Sequence, residues 1–146
     1  MKAFRLLPAL AAVALWVTPA AAEPPCKAPD PVCAQAGRVF RIASFDPVAS
    51  AVLIEPGLLV TNRHAIADNS RAQVFTRSGD QVLADVVPTG YPGDLVLLRA
   101  PGLKETAPMA IAKAGADEPL FTIGADIGRD AIRVYKPGKM VLAPAA

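Results

Sequence analysis

The sequence predicts an all-β protein of six short antiparallel strands, closed into a small barrel or packed as a sandwich. Three observations carry this prediction. Apolar or alternating runs recur between residues 38 and 98, turn signals rich in Gly, Pro, Asp or Ser separate them, and no stretch of useful length has a helical period.

Taken in order, residues 1–22 read as a secretory signal peptide. Lys2 and Arg5 form its basic start, Leu6 to Val17 its apolar core, and Ala20-Ala21-Ala22 a small-residue cleavage site before Glu23. The core is too short to span a bilayer and contains Pro8, and charges, Pro or Gly interrupt every later apolar run. The mature chain is therefore expected to be exported, to a periplasm or to the medium, without a membrane span. Residues 23–36 form a Pro- and Ala-rich N-terminal arm that reads as extended. Its Cys26 and Cys33 are the only cysteines. In an oxidising compartment they can close a disulfide that staples the arm, and their spacing is not that of a C-x-x-C redox motif.

The barrel or sandwich is expected over residues 37–100. Arg38 to Ala43 alternates as a half-buried strand does, with Val39 facing opposite Phe40. Ser50–Ile54 and Leu58–Thr61 flank Glu55-Pro56-Gly57 and form the clearest hairpin of the chain. Ala72–Thr76 and Gln81–Val87 form a second, joined across Arg77-Ser78-Gly79-Asp80, where Gly79 supplies the backbone freedom of the turn. Tyr91-Pro92-Gly93 then turns into Leu95–Leu98, a run apolar on both faces that reads as a central strand covered on both sides.

Residues 101–118 read as a connector and 119–146 as the start of a second unit, with strands at Leu120–Ile123 and Ala131–Tyr135. Twenty-eight residues are too few to bury a core of their own, so this unit is either an appendage of the barrel or the beginning of a second domain.

Charge narrows the function classes. The sequence has 15 Lys and Arg against 13 Asp and Glu, and loss of Lys2 and Arg5 with the leader would bring the mature chain to neutrality. The basic residues are scattered singly, unlike the clustered surfaces that bind nucleic acid or anionic lipid. One histidine and dispersed carboxylates offer no metal-ligand cluster, and no glycine loop suited to phosphate is present, so no metal and no cofactor are expected.

The chemistry rests on His64 and Asp94. A lone histidine after a strand is more often structural than catalytic, and an acid after Pro-Gly is an ordinary turn residue. Asp80 has the same bland account, and Asp68 reads as a cap of a short helical turn after His64. The conjunction changes the balance. Leu58-Leu59-Val60-Thr61 brings one buried strand up to His64, and Leu95–Leu98 anchors Asp94 at the start of another. A general base needs such rigid supports, with one ring nitrogen donating to a carboxylate and the other free to accept a proton from a hydroxyl.

At these residues the chain resembles a known family. Ser50–Asp68, the following hairpin and Thr89–Ala100 are similar to the N-terminal half of trypsin-like, chymotrypsin-fold serine peptidases. The HtrA/Deg and glutamyl-endopeptidase-like branch is the nearest, with Thr61-Asn62-Arg63-His64 as its T-N-x-H motif and Asp94-Leu95-Val96-Leu97-Leu98 as its acid motif. The resemblance covers residues 37–100 and implies a six-stranded antiparallel first barrel followed by an incomplete second one. It also implies His64 as general base, Asp94 as its orienter, and a protein or peptide as substrate. Phe121-Thr122-Ile123-Gly124 with Gly128 weakly resembles the segment that opens the family's second barrel.

The departure is the nucleophile. Ser44, Ser50, Ser70 and Ser78 all precede Asp94, so the G-x-S-G-like motif that follows the acid in this family is missing. Thr106 and Thr122 are poor substitutes, one in the connector and the other within an expected strand. Two such barrels need well over 146 residues, so the expectation is an exported serine endopeptidase represented by a truncated chain and inactive by the triad route as it stands. The alternative is a non-catalytic exported β-domain that serves as a binding or interaction module. Substrate preference and oligomeric state are not encoded in any motif here.

Overall fold

The structure, a computed structural model, describes residues 26–105, 107–113, 115, 117–129 and 131–139. The signal peptide expected over residues 1–22 lies outside the described residues, as do Thr106 and residues 140–146. Six strands form a closed antiparallel barrel: β1 (Val39–Ala43), β2 (Ala49–Glu55), β3 (Leu58–Thr61), β4 (Arg71–Phe75), β5 (Gln81–Val87) and β6 (Val96–Arg99). Around the barrel the order is β1-β2-β3-β6-β5-β4, and β4 closes back on β1 with Ile42 opposite Val74. Closure removes the open edges that a six-stranded sheet would leave, and it decides for the barrel over the sandwich.

Strand alternation builds the interior. Phe40, Ile42, Ala51, Leu53, Leu59, Ala72, Val74, Ala84, Val96 and Leu98 form one buried cluster. The alanines Ala51, Ala72 and Ala84 sit among the larger Ile, Leu and Val side chains, the mixture of sizes that a narrow barrel needs to fill its interior without voids. Three residues outside the strands, Ile66, Ala100 and Leu103, complete the cluster. Ile66, from the helical turn after β3, is 1% exposed, and Leu103, just after β6, is 7% exposed. Because Thr61 pairs with Val96 and Leu58 with Arg99, Ile66 and Leu103 cap opposite ends of the barrel.

The hairpin turns follow from glycine. Gly57, between β2 and β3, has φ +70°, and its carbonyl accepts from Ala100 N at 2.8 Å. Gly79, between β4 and β5, has φ +86°. Only glycine adopts such a conformation at little cost. Both turns lie at the Leu103 end, while Ile66, the β1–β2 loop and the segment before β6 lie at the other.

Several sequence expectations are corrected. The arm is not wholly extended: α1 (Asp30–Gln35) forms within it, followed by a 3₁₀ turn over Ala36–Arg38. Asp30 and Pro31 occupy the first turn of α1, where an acid complements the free N–H groups and the missing proline N–H costs nothing. Cys26 and Cys33 are disulfide-bonded, with Cα atoms 5.9 Å apart. The run Leu95–Leu98 is not covered on both faces: Leu98 is fully buried, Leu97 half-buried and Leu95 44% exposed. In a closed barrel only the inward face of each strand is buried by the fold itself.

The expected strand at Leu120–Ile123 is split. Leu120, in β7 (Pro119–Leu120), pairs with Gly138 of β10 (Gly138–Lys139). Ile123, in β8 (Ile123–Ala125), pairs with Val134 of β9 (Ile132–Val134). The run changes partner midway, so Phe121 and Thr122 belong to neither ladder. The β8–β9 hairpin packs on β1 and β2, where Ala125 N donates to Ser50 Oγ at 2.8 Å. It lies over the outward side of β1, which includes Val39, 3% exposed and opposite in direction to Phe40.

Candidate active site

The two residues singled out in the sequence come together at the Ile66 end of the barrel. β3 ends at Thr61, a buried polar residue whose hydroxyl donates to Ser50 O at 2.7 Å. The chain then leaves in an extended conformation at Asn62 and turns through α2 (Arg63–Ile66). The turn stops where Ala67 takes φ +51°, with its N–H bonded to Arg63 O at 2.8 Å. His64 therefore lies within the helical turn rather than before it, and Asp68 follows its end. The cap expected of Asp68 is not formed, because the N-cap position belongs to Asn62.

Burial on one side of α2 directs His64 to the other. Ala65 and Ile66 are buried against the barrel end, whereas the His64 side chain is 69% exposed. The β1–β2 loop braces the turn from its flank through Asp46 N donating to Ala65 O at 3.0 Å. That loop is fixed in turn by Ser44, whose hydroxyl donates to Arg71 O at 2.8 Å and accepts from Asn69 Nδ2 at 3.2 Å.

Asp94 sits two residues before β6, at the end of a segment without regular structure. Three consecutive residues reach across to this segment. Asn62 Nδ2 donates to Asp94 O and to Asp94 Oδ2, both at 3.2 Å. Arg63 N donates to Asp94 O at 3.3 Å, and Arg63 Nη2 donates to Tyr91 O at 2.6 Å and more weakly to Leu95 O at 3.5 Å. His64 N donates to Asp94 Oδ1 at 2.9 Å, and His64 Nδ1 lies 2.6 Å from Asp94 Oδ2.

These bonds set the electrostatics. The His64 backbone N–H, then its imidazole, hold the Asp94 carboxyl below the ordinary carboxylate range against the opposing effect of desolvation, with smaller help from imidazole charge and Asn62. An ionised carboxylate at Nδ1 places the ring proton there and leaves Nε2 with its lone pair outward. Such an imidazole can accept a proton from a hydroxyl held near Nε2. Among the described residues no hydroxyl is hydrogen-bonded to His64. Ser44, Ser50 and Ser78 are engaged with Arg71, Ala125 and Asp80, and Thr122 lies between β7 and β8.

Beside Asp94, on the outward side of β3 and β6, lies an apolar groove of about 190 Å³ lined by Val60, Thr89, Tyr91, Leu95, Val96 and Leu97. Val60 and Leu97 are partners across the two strands, and Tyr91 folds over Gly93, where a β-carbon would come within 2.9 Å of Cζ of the ring. Sequence reasoning missed Asn62 and Arg63 as parts of the site. Both stand in the T-N-x-H motif, but it assigns them no role, since their partners lie about thirty residues away and follow from the β3–β6 pairing. No helix among the described residues is long and apolar enough to cross a membrane.

No protein-family model matches the chain, and no curated protein matches it. Solved structures do. The inactive form of the Rv3671c protease matches with a TM-score of 0.60 at 24% identity over 75% of this chain. Its serine-to-alanine mutant from M. tuberculosis H37Rv, also in an inactive form, matches with the same score and identity. The chain spans 58% and 57% of the length of those two structures. The likeness is one of fold, and the closed six-stranded barrel is chymotrypsin-like.

Proposed function

We propose that this chymotrypsin-like barrel carries the base and its orienter for an exported serine endopeptidase of the trypsin-like class, nearest the HtrA/Deg and glutamyl-endopeptidase-like branch. The observation that carries the reading is the contact of His64 Nδ1 with Asp94 Oδ2 at 2.6 Å, with Nε2 on an exposed ring. In this chemistry His64 takes the proton of a serine hydroxyl as it attacks the peptide carbonyl, then passes it to the leaving amine. Asp94 holds the tautomer and stabilises the imidazolium between the two steps.

No serine follows Asp94 among residues 95–146, so the attacking hydroxyl has to reach His64 from outside that stretch. Residues 119–146 are read as the start of a second barrel, and the leader at residues 1–22 as the export signal. The substrate class is protein or peptide. A second reading is favoured by the lack of any hydroxyl bonded to His64 among the described residues: an exported β-domain that binds partners without cleaving them.

The test joins residues 1–146 to a second barrel bearing a serine nucleophile and compares casein cleavage by the fusion with that by its His64→Ala variant. Cleavage that needs His64 supports the peptidase reading. Undiminished cleavage in the variant would sink it, and a folded fusion that never cleaves would favour the binding module.

A further inference from the structure

The segment that delivers Asp94 has little structure of its own. Residues 88–95 contain Pro88, Gly90, Pro92 and Gly93, form no strand or helix, and include a left-handed Gly90 at φ +66°. Proline removes two backbone donors and glycine loosens the rest, so this stretch cannot fix its own path. Its internal hydrogen bond, Tyr91 N to Thr89 Oγ1, is 3.2 Å long. The bonds that tie residues 91–94 to the barrel come from Asn62, Arg63 and His64. Of these the Arg63 guanidinium makes the contact furthest from the carboxylate, and at 2.6 Å to Tyr91 O it is a short, charge-assisted bond.

We propose that Arg63 is a positioning residue for the His64–Asp94 pair: one guanidinium nitrogen bridges the carbonyls of Tyr91 and Leu95, and so holds the turn that presents Asp94 to the imidazole. The two carbonyls bracket Pro92-Gly93-Asp94, so a single group clamps the turn on both sides of the acid. Arg63 acts on the carbonyls and not on the carboxylate, whose side-chain partners are His64 and Asn62. The same bridge holds Tyr91 over Gly93, which makes Arg63 the support of the groove wall as well. Because both bonds leave one nitrogen, the requirement is a cation with several donors rather than a planar fork. A lysine at this position should therefore restore much of the effect.

This inference deepens the reading of the same site and rests on it for its meaning, yet its test needs no cleavage. His64 is the only histidine, so the proton on its Nδ1 gives an unambiguous far-downfield signal in the NMR spectrum of the full chain when it is bonded to Asp94. The expected result is loss of that signal in Arg63→Ala, retention in Arg63→Lys, and an unchanged circular-dichroism spectrum in both. Retention in a folded Arg63→Ala protein overturns the proposal, as does equal loss in the alanine and lysine variants or absence of the signal from the unsubstituted chain. Should Arg63→Ala fail to fold, Arg63→Met, which keeps the aliphatic stem, carries the same test. Casein cleavage by the serine-bearing fusion reads the peptidase function separately. It can fail while the signal responds to Arg63 as expected, and it can succeed while the signal ignores Arg63.

Discussion

Asp94 receives His64 twice, through the backbone N–H on one carboxylate oxygen and through Nδ1 on the other. The residue that is to be oriented thus also orients its orienter. The double contact joins the end of β3 to the start of β6 at a point where neither strand extends.

Replacement of Asp94 by Asn keeps the shape and removes the charge. An amide in its place can still accept from His64 N, yet it no longer enforces a proton on Nδ1. In the serine-bearing fusion, casein cleavage should fall by roughly 10⁴-fold, the scale expected when a triad acid loses its charge with geometry intact. The initial rate at neutral pH measures it, and a loss of less than tenfold would remove Asp94 from the orienting role.

Acid should erase the contribution of this carboxylate to stability. The folded Asp94 lies below its ordinary value of 3.8, so its bonds to His64 and Asn62 contribute fully above that value and are lost as the pH falls through the lower, folded one. The stability gap between the unsubstituted protein and Asp94→Asn should be open at neutral pH and should close as the pH drops below 3.8. Urea titrations across that range read it. Because the pair is exposed, salt should narrow the gap over the pH range in which it is open.

Ile66 links the core to the site. Truncation to Ala at a position 1% exposed should cost about 3 kcal/mol in urea unfolding. The same change should weaken the His64 Nδ1 proton signal, because α2 is anchored to the barrel through this side chain. A stability loss without any change in that signal would show that the β1–β2 loop alone suffices to hold the turn.

The two glycine turns should differ. A β-carbon on Gly57 would meet Ala100 O at 3.3 Å, while one on Gly79 would meet nothing within 4 Å. Both pay for a left-handed backbone, so Gly79→Ala should cost about 1 kcal/mol and Gly57→Ala about 2 kcal/mol by chemical denaturation. Equal costs would mean that Ala100 yields freely.

Legibility tracked the range over which a pattern acts. β5 was readable to its ends, Gln81–Val87, since alternation and flanking turns are local signals. The closing pair Ile42–Val74 was not, because nothing in either strand names its partner. α1 was hidden by proline-rich composition, although proline in a first helical turn is compatible with the helix. Leu95 and Leu97 misled, as outward apolar residues in a barrel can line a groove instead of being covered. The meeting of His64 with Asp94 was legible because strands announce their own ends. Asn62 and Arg63 escaped because their partners are backbone carbonyls and a carboxylate set by the fold.

The placement of Gly57 and Gly79 at the end of the barrel away from His64 separates handling from chemistry. A fluorophore, affinity tag or surface tether grafted into the Arg77–Asp80 turn would leave the imidazole face open to solvent. The molecule therefore comes with a handle, and an immobilised array held by that turn would present every His64 outward.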